Sequence, residues 1–267
     1  MNIQLRYFTG TGNSWKVLDT CKNVFSEEGH DVQISALDPN EKEILEADII
    51  GFAFPVYSFG IPRIARRYLN SLKKFVSEQK VFFILTAGDA KGVGLSTKIF
   101  ESILKRKNCK LIFSDVLKMP NNWIPFSHPL TMEENLQIIV KGIERSEQIA
   151  HHILNNKIEK YDYRQQSWFF KNISNVINIL FRNFGTTGLK SLFKVYDSCN
   201  GCGLCAKACP TNTIVMLKGK PKWAFNTCEQ CMRCVHVCPQ ESIFQLMGGH
   251  TKGKNRYMEP DFDPMKK

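Results

Sequence analysis

Hydrophobic and polar residues follow two different periods over the first 155 residues, and this pattern predicts a sheet covered by helices. Short apolar runs indicate strands over 3–8, 31–36, 48–54, 80–86 and 111–117. Between them, apolar residues spaced three and four apart indicate helices over 14–29, 62–76, 95–107 and 132–155. Strands that alternate with helices form parallel sheets, which bind ligands beyond the C-terminal strand ends. We therefore expect an α/β fold with a doubly wound parallel sheet.

Residues 157–196 contain a further helical pattern with one strongly apolar face. The apolar positions are Phe169, Ile173, Val176, Ile177, Leu180, Phe181 and Phe184. The polar side is marked by Lys171, Asn172, Asn175 and Arg182. Two interpretations stay open: a linking helix that packs this face on the preceding domain or on a second subunit, and a helix that lies on a membrane surface.

Eight of the ten cysteines lie in two copies of the spacing C-x2-C-x2-C-x3-C-P. This spacing is typical of [4Fe–4S] ligands: three thiolates on a tight loop bind one cluster, and the fourth cysteine binds the other cluster. A first cluster would therefore take Cys199, Cys202, Cys205 and Cys238, and a second would take Cys228, Cys231, Cys234 and Cys209. Zinc is the weaker interpretation, because a tetrahedral zinc site uses cysteines in pairs and leaves the third cysteine of each motif unused. The repeat also continues past the ligands, since residues 210–214 match 239–243.

A glycine-rich turn links the first predicted strand to the first predicted helix. It comprises Thr9, Gly10, Thr11, Gly12, Asn13 and Ser14. Free N–H groups and the positive end of a helix dipole make such a turn an anion site. No lysine follows the glycines, and Trp15 stands where a dinucleotide motif needs glycine, so both nucleotide motifs fail. A hydroxyl-rich loop that binds one terminal phosphate is the remaining interpretation.

The glycine-rich turn resembles the phosphate loop of flavodoxins, with Ser14 in place of the last threonine. Two later loops strengthen this resemblance. The first holds Pro55, Val56, Tyr57, Phe59 and Gly60, and the second holds Thr86, Ala87 and Gly88. The resemblance implies FMN, with Tyr57, then Phe59, stacking on the flavin ring. It covers about residues 1–155 and implies the strand order 2-1-3-4-5.

The cysteine region resembles bacterial-type ferredoxins that carry two [4Fe–4S] clusters, and the whole chain resembles flavodoxin–ferredoxin fusion proteins. This resemblance implies a flavodoxin-like FMN domain at 1–156, a linking helical segment at 157–196, a small α+β two-cluster ferredoxin domain at 197–247 and a basic tail at 248–267. It also suggests that Asn122 or Trp123 borders the flavin; the alternative for both residues is a structural role in a turn after the fifth strand. An Arg256-Tyr257 pair has a counterpart in the family, but its role does not follow from the sequence.

Composition and charge narrow the location and the partners. The 267 residues allow one full-sized domain and one small domain. Residues 151–267 carry 17 Lys and Arg against 8 Asp and Glu, so the C-terminal half is the basic one. Two clusters and a flavin phosphate would offset about six positive charges of the whole protein. Nucleic acid is therefore a weak candidate partner. We see no secretory signal and no apolar run of membrane-spanning length. Because iron-bound thiolates need a reducing compartment, we expect the cytoplasm.

The resulting functional hypothesis is electron relay between two [4Fe–4S] clusters and FMN, and to or from a redox partner protein. The first alternative is an FMN-dependent reductase of a small molecule, fed through the clusters. A third class is a dedicated donor that docks on one enzyme. We find no nicotinamide site and no paired catalytic residues, so the cofactors would supply the chemistry and classification as an enzyme stays open. A homodimer is possible, and two exposed basic groups are expected at Lys218, Lys220 and Lys222 and at Lys252, Lys254 and Arg256.

Overall fold

Five parallel strands form the main sheet in the computed structural model, which describes residues 1–38, 40–41, 47–89, 93–125, 127–246, 251 and 253–265. The strands are β1 (Asn2–Tyr7), β2 (Asp31–Ala36), β3 (Ile49–Pro55), β4 (Gln79–Ala87) and β5 (Cys109–Lys118). Their spatial order is β2-β1-β3-β4-β5, which confirms the predicted flavodoxin-like topology. The central strands β3 and β4 are buried almost throughout, as a sheet covered on both faces requires.

Four helices accompany this sheet: α1 (Asn13–Glu27), α2 (Arg63–Ser71), α3 (Ser96–Arg106) and α4 (Met132–Leu154). A group of buried rings packs between the sheet and α3, where Phe83 and Phe100 lie 4.4 Å apart between centroids. The expected helix over 62–76 is too long, because α2 ends at Ser71. Leu72 takes an extended conformation, and the ammonium group of Lys107 donates to the carbonyl groups of Asn70 and Leu72, which satisfies acceptors at the helix end.

The linking segment forms helix α5 (Trp168–Leu180), and its orientation differs from the expected one. Its buried residues are Ser174 and Asn178, whereas six of the seven apolar positions are exposed: Phe169, Ile173, Val176, Ile177, Leu180 and Phe184. The interpretation that this face packs on the preceding domain is therefore wrong. The helix is held by its polar side instead, because the amide of Asn178 donates to the carbonyl of Ser58 at 3.0 Å.

The cysteine region is built from two copies of one small unit. After a π-helical turn (Phe181–Gly185), α6 (Thr186–Leu189) and a 3-10 turn (Lys190–Leu192), β6 (Phe193–Val195) pairs with β9 (Ile243–Gln245), and β7 (Ile214–Leu217) pairs with β8 (Lys220–Trp223). Two short helices, α7 (Leu204–Lys207) and α8 (Arg233–His236), carry cysteines of the two motifs.

Matched positions of the two copies adopt the left-handed backbone conformation. Gly201 and Gln230 follow the first cysteine of each motif by two residues, and both have positive φ angles. Gly203 and Met232 precede the short helices α7 and α8 with φ of 77° and 61°. Glycine adopts this backbone conformation without strain in the first copy. In the second copy Gln230 and Met232 adopt it with side chains, so tertiary contacts must offset the strain.

The C-terminal segment is not the solvated tail that the sequence suggested. Tyr257, Glu259 and Phe262 are buried. The ammonium group of Lys254 donates to the carbonyl oxygens of Ile124 and Pro125, at 2.8 and 3.2 Å. Lys254 and Arg256 are therefore engaged in internal contacts, and Lys252 lies outside the described residues. The expectation of an exposed basic group in this segment is wrong for Lys254 and Arg256.

The chain divides into two compact units. The first comprises 1–9, 13–119 and 137–178, and the second comprises 10–12, 120–136 and 179–267. Within the described residues, no helix has the length and apolar character needed to cross a bilayer.

Candidate cofactor sites

The first set of cysteines surrounds one cavity in the second unit. Cys199, Cys202 and Cys205 line it together with Cys238, which comes from the other motif. Met216, Pro221 and Ile243 supply apolar walls. Cys202 is exposed while Cys205 is buried, so one side of this cavity faces solvent. The geometry groups the four cysteines that crossed ligation of a first cluster requires.

The second set of cysteines is grouped by mutual electrostatic effects. Burial raises the pKa of Cys234 well above its usual range, and the thiols of Cys231, Cys209 and Cys228, with a smaller effect of Cys205, raise it further. Cys209 belongs to the first motif, and it also raises the pKa of Cys228 and Cys231. Three of the four are buried, so this set is more enclosed than the first. The proximity of Cys209 is again what crossed ligation requires.

Backbone N–H groups donate to the last cysteine of each motif in the same way. The N–H of Thr213 lies 3.3 Å from Sγ of Cys209, and the N–H of Ser242 lies 3.3 Å from Sγ of Cys238. Each donor is four residues after its cysteine, past the proline of the motif. Such donors stabilise a negatively charged sulfur and tune the potential of a cluster bound to it. The repeat observed in the sequence thus has a direct counterpart in how the sulfurs are surrounded.

The protonation of the cysteines fits a site that is completed by metal. Burial raises the pKa of Cys205 to about 11 and that of Cys228 to about 12, with smaller increases from the neighbouring thiols. The thiols of Cys205 and Cys228 therefore hold their protons at neutral pH, and iron binding must displace these protons. In the described part of the chain, no three His, Cys, Asp or Glu side chains converge as a site for a single metal ion. The residues present fit clusters, which spread four thiolates around a larger core.

The predicted phosphate loop is a buried turn, and the hydroxyl groups of Thr11 and Ser14 are hydrogen-bonded within the protein. Thr9, Thr11 and Ser14 are all buried. The hydroxyl of Ser14 lies 2.8 Å from that of Thr86, which joins the glycine-rich turn to the loop that begins at Thr86. The N–H of Val56 donates to the carbonyl of Thr86 at 2.9 Å, which joins the aromatic loop after β3 to the same loop. Three loops that the sequence assigned to one ligand therefore meet, and their hydroxyl and N–H donors suit the phosphate and the ring of FMN.

The aromatic loop after β3 forms a tight turn. Tyr57 and Gly60 exchange backbone hydrogen bonds, and Ser58 and Phe59 between them have positive φ angles. Tyr57 contacts Phe8 edge to face, and Phe59 contacts Phe170 of α5 in the same manner. A Cβ at Gly60 would lie 2.1 Å from the amide nitrogen of Asn178, so a side chain at this position would have to displace the Asn178 amide. Residues 90–92, which end the third predicted loop, lie outside the described residues.

Four residues that sequence reasoning did not assign, or assigned only loosely, surround Gly10–Gly12 and the second cysteine set. The amide of Asn122 donates to the hydroxyl of Thr11 at 3.1 Å and contacts the carbonyl of Cys231 at 3.4 Å. The buried guanidinium of Arg233 donates to the carbonyl of Gly10 at 2.7 Å. Glu259 donates its N–H to the carbonyl of Thr11, and a Cβ at Gly12 would lie 2.5 Å from Cβ of Glu259. The fourth residue is His236.

His236 is a neutral imidazole with a defined tautomer. Burial lowers its pKa to about 4. Its Nδ1 accepts from the N–H of Tyr257 at 3.1 Å, so the proton lies on Nε2, which donates to the carbonyl of Asn122 at 2.8 Å. This imidazole connects the helix α8, the turn that carries Asn122 and the C-terminal segment. No local sequence pattern could have revealed it, since His236 reads as one more helix residue.

An exposed basic hairpin borders the first cysteine set. Lys218, Lys220 and Lys222 are exposed on the β7–β8 hairpin, whose turn has positive φ at Lys218 and Gly219. The ammonium group of Lys220 donates to the carbonyl of Cys199 at 3.2 Å. A Cβ at Gly201 would lie 2.7 Å from the carbonyl oxygen of Gly219, so the turn packs tightly on the first cysteine loop. Positive charge on this hairpin therefore lies beside the more exposed of the two sets.

Comparison with known proteins identifies the cysteine region at the level of a family. Residues 198–243 match the 4Fe–4S dicluster domain. This match covers all eight motif cysteines and supports [4Fe–4S] chemistry. In a comparison with curated proteins, no sequence matches the chain.

Solved structures similar to the chain cover its N-terminal part at low identity. Flavodoxin 1 from Bacillus cereus is 14% identical, with 58% of this chain and 98% of the flavodoxin covered and a TM-score of 0.43. An NAD(P)H:quinone oxidoreductase from Methanothermobacter marburgensis is 12% identical, with 57% and 98% covered and a TM-score of 0.43. The fold itself is established by the strand order. The chain therefore joins a flavodoxin-like α/β domain to a ferredoxin-type 4Fe–4S domain, as the resemblance to fusion proteins implied.

Proposed function

We propose that this chain is an iron–sulfur flavoprotein that relays electrons between two [4Fe–4S] clusters and FMN, and exchanges them with a redox partner protein. The observation that carries the proposal is the division of eight cysteines into two sets, each completed by a cysteine of the other motif. A [4Fe–4S] cluster carries one electron, and FMN can hold one or two. The combination suits a protein that exchanges electrons singly and in pairs.

The protein's own groups would hold and tune these cofactors. Cys199, Cys202, Cys205 and Cys238 would bind the first cluster, and Cys228, Cys231, Cys234 and Cys209 the second. The N–H groups of Thr213 and Ser242 would stabilise charge on two of the sulfurs. Thr9, Thr11 and Ser14 would hold the FMN phosphate through their hydroxyl groups, while Tyr57 would face the flavin ring.

The exposures of the two cysteine sets support an order for electron flow. The first set is partly exposed and bordered by the basic β7–β8 hairpin, so a partner protein would exchange electrons there. The second set is enclosed and linked to Gly10 and Thr11 through Arg233 and Asn122. The cluster in the second set would therefore exchange electrons with the flavin.

Anaerobic purification tests this proposal directly. We expect about eight iron and eight sulfide per chain, as two [4Fe–4S] clusters require, and one FMN. NADH and NADPH should not reduce the protein, whereas a low-potential ferredoxin should reduce clusters and flavin together. Iron and sulfide without flavin, or direct reduction by NADPH, would contradict the relay. Direct reduction would favour the alternative of a reductase that acts on a small molecule.

A further inference from the structure

Helix α5 presents large apolar side chains to solvent in an unusual arrangement. Trp168 and Phe169 are 76% and 68% exposed, and Ile173, Val176 and Ile177 extend the same surface; we call these five residues the α5 apolar surface. A helix of a globular protein ordinarily buries its apolar face and exposes its polar one. Here the polar residues Ser174 and Asn178 are buried instead. Contiguous exposed apolar residues of this kind mark an interaction surface.

The orientation of α5 is fixed by specific contacts. The hydroxyl of Ser167 caps the helix by accepting from the N–H of Phe170 at 3.2 Å. Phe170 packs edge to face against Phe59, with ring centroids 5.5 Å apart. A Cβ at Gly94 would lie 2.7 Å from the hydroxyl oxygen of Ser174, so the helix approaches this backbone closely. These contacts lie on the buried side and hold the α5 apolar surface toward solvent.

The charged residues in the sequence segment that contains α5 indicate which occupant fits. From Tyr163 to Tyr196 the chain has five basic residues and no acidic residue. Arg164 is paired with Asp162, just before this stretch, at 2.9 Å, so four basic residues carry the net positive charge. A symmetric contact with a second copy would bring like charges together, which disfavours association. An anionic lipid surface instead offers negative head groups for the basic residues and acyl chains for the apolar side chains.

We propose that the α5 apolar surface binds the anionic surface of a phospholipid bilayer peripherally. Aromatic residues at the start of the helix suit the interface between head groups and acyl chains. Within the described residues no helix is long and apolar enough to cross a bilayer, so α5 would lie along its surface. This proposal is independent of the redox proposal, because it concerns where the protein is held and not what its cofactors do.

Vesicle flotation of the full-length protein tests this binding. We expect the protein to float with vesicles of phosphatidylcholine mixed with phosphatidylglycerol, and to bind pure phosphatidylcholine far more weakly. The variant Trp168→Gln/Phe169→Gln/Val176→Gln should lower the partition coefficient about tenfold or more. The matched control Val76→Gln/Leu136→Gln/Val140→Gln removes three other exposed apolar side chains and should bind like the parent protein. Both variants should keep the parent's iron content and thermal midpoint, because all six residues are exposed.

Tryptophan fluorescence supplies a second readout. The emission of the parent protein should shift to the blue on anionic vesicles, and Trp168→Phe should bind while losing that shift. Four results would overturn the proposal: no flotation at low salt, unchanged flotation of the α5 variant, a dimer in sedimentation velocity that only the α5 variant dissociates, or docking of a redox protein on this surface without vesicle binding. The third result would assign the surface to a second copy, and the fourth would assign it to a partner protein.

Discussion

The guanidinium of Arg233 and the carbonyl oxygen of Gly10 are joined by a hydrogen bond of 2.7 Å across 223 positions of sequence. Arg233 lies between Cys231 and Cys234, and Gly10 lies in the predicted phosphate loop. The same guanidinium donates to the carbonyls of Ala208 and Pro264, each at 3.1 Å, and faces the ring of Phe262. One buried cation therefore connects the predicted phosphate loop, Ala208 beside Cys209 and the C-terminal segment.

Replacing Arg233 should destabilise the protein and alter the nearer cluster. In Arg233→Met, two buried carbonyl groups and one partly buried carbonyl group lose a donor, and we expect the free energy of unfolding to fall by about 2–4 kcal/mol. Loss of a positive charge near the second cysteine set should also lower its cluster's reduction potential, because the reduced cluster is more negative. Anaerobic thermal unfolding and redox titration measure the two effects.

Lys207→Met is a suitable control, since it removes one exposed cation from the helix of the first motif. We expect it to leave stability within about 0.5 kcal/mol of the parent. Arg233→Lys keeps the charge but not the planar guanidinium. It should leave the reduction potential of the cluster close to that of the parent while still lowering the free energy of unfolding. Equal potentials in the parent protein and in Arg233→Met would contradict an electrostatic role for this residue.

Crossed ligation can be tested by removing one cysteine from each motif. Cys238→Ser should damage the cluster of Cys199, Cys202 and Cys205, although Cys238 belongs to the other motif. The double variant Cys199→Ser/Cys238→Ser should then retain about four irons per chain, because both residues serve one cluster. Iron analysis and low-temperature electron paramagnetic resonance provide the measurement.

The pairing Cys199→Ser/Cys209→Ser is the matched control, because these residues share a motif but serve different clusters under crossed ligation. It should impair both clusters. If the motif-sharing pair spares one cluster and the crossed pair impairs both, each motif binds its own cluster and the crossed assignment is wrong.

The phosphate role of the glycine-rich loop predicts selective losses in flavin binding. Ser14→Ala removes a buried hydroxyl that contacts Thr86, and we expect FMN binding to weaken by about 1–3 kcal/mol. Riboflavin, which lacks the phosphate, should be affected much less. Thr20→Val serves as the control, because the Thr20 hydroxyl donates to the carbonyl of Lys16 in its own helix. Fluorescence titration of the apoprotein measures both ligands, and equal losses for FMN and riboflavin would show that Ser14 does not serve the phosphate.

The basic hairpin predicts salt-dependent reduction by an acidic ferredoxin. Opposite charges speed encounter, and salt screens them over a Debye length of about 10 Å at 0.1 M. Reduction in stopped flow should slow as ionic strength rises, and Lys218→Glu/Lys222→Glu should slow it further. Lys220 is left unchanged, because it also bonds the carbonyl of Cys199. Lys74→Glu/Lys105→Glu, which reverses two exposed lysines elsewhere, should have a smaller effect, and equal effects of the two pairs would exclude the hairpin as the docking site.

The sequence by itself determined the features that depend on local spacing. Strand and helix periods predicted five strands within two residues of their observed ends, and the cysteine spacing predicted the dicluster domain that the family match supports. Loop residues such as Ser14 and Thr86 were assigned to one site, and the two hydroxyls lie 2.8 Å apart. These features follow from backbone geometry and motif spacing, which act over a few residues.

Only the tertiary structure decided which surfaces are covered. The pattern of α5 predicted that its apolar face is buried, but Asn178 and Phe170 have specific partners on the opposite side. The C-terminal segment looked solvated, yet Tyr257 and Glu259 are buried against distant parts of the chain. The local sequence around Arg233 and His236 is that of an ordinary helix, and only the folded chain brings them to their partners Gly10 and Asn122. Periodicity shows that a helix has two faces, but which face is covered depends on the partners that the rest of the chain brings to it.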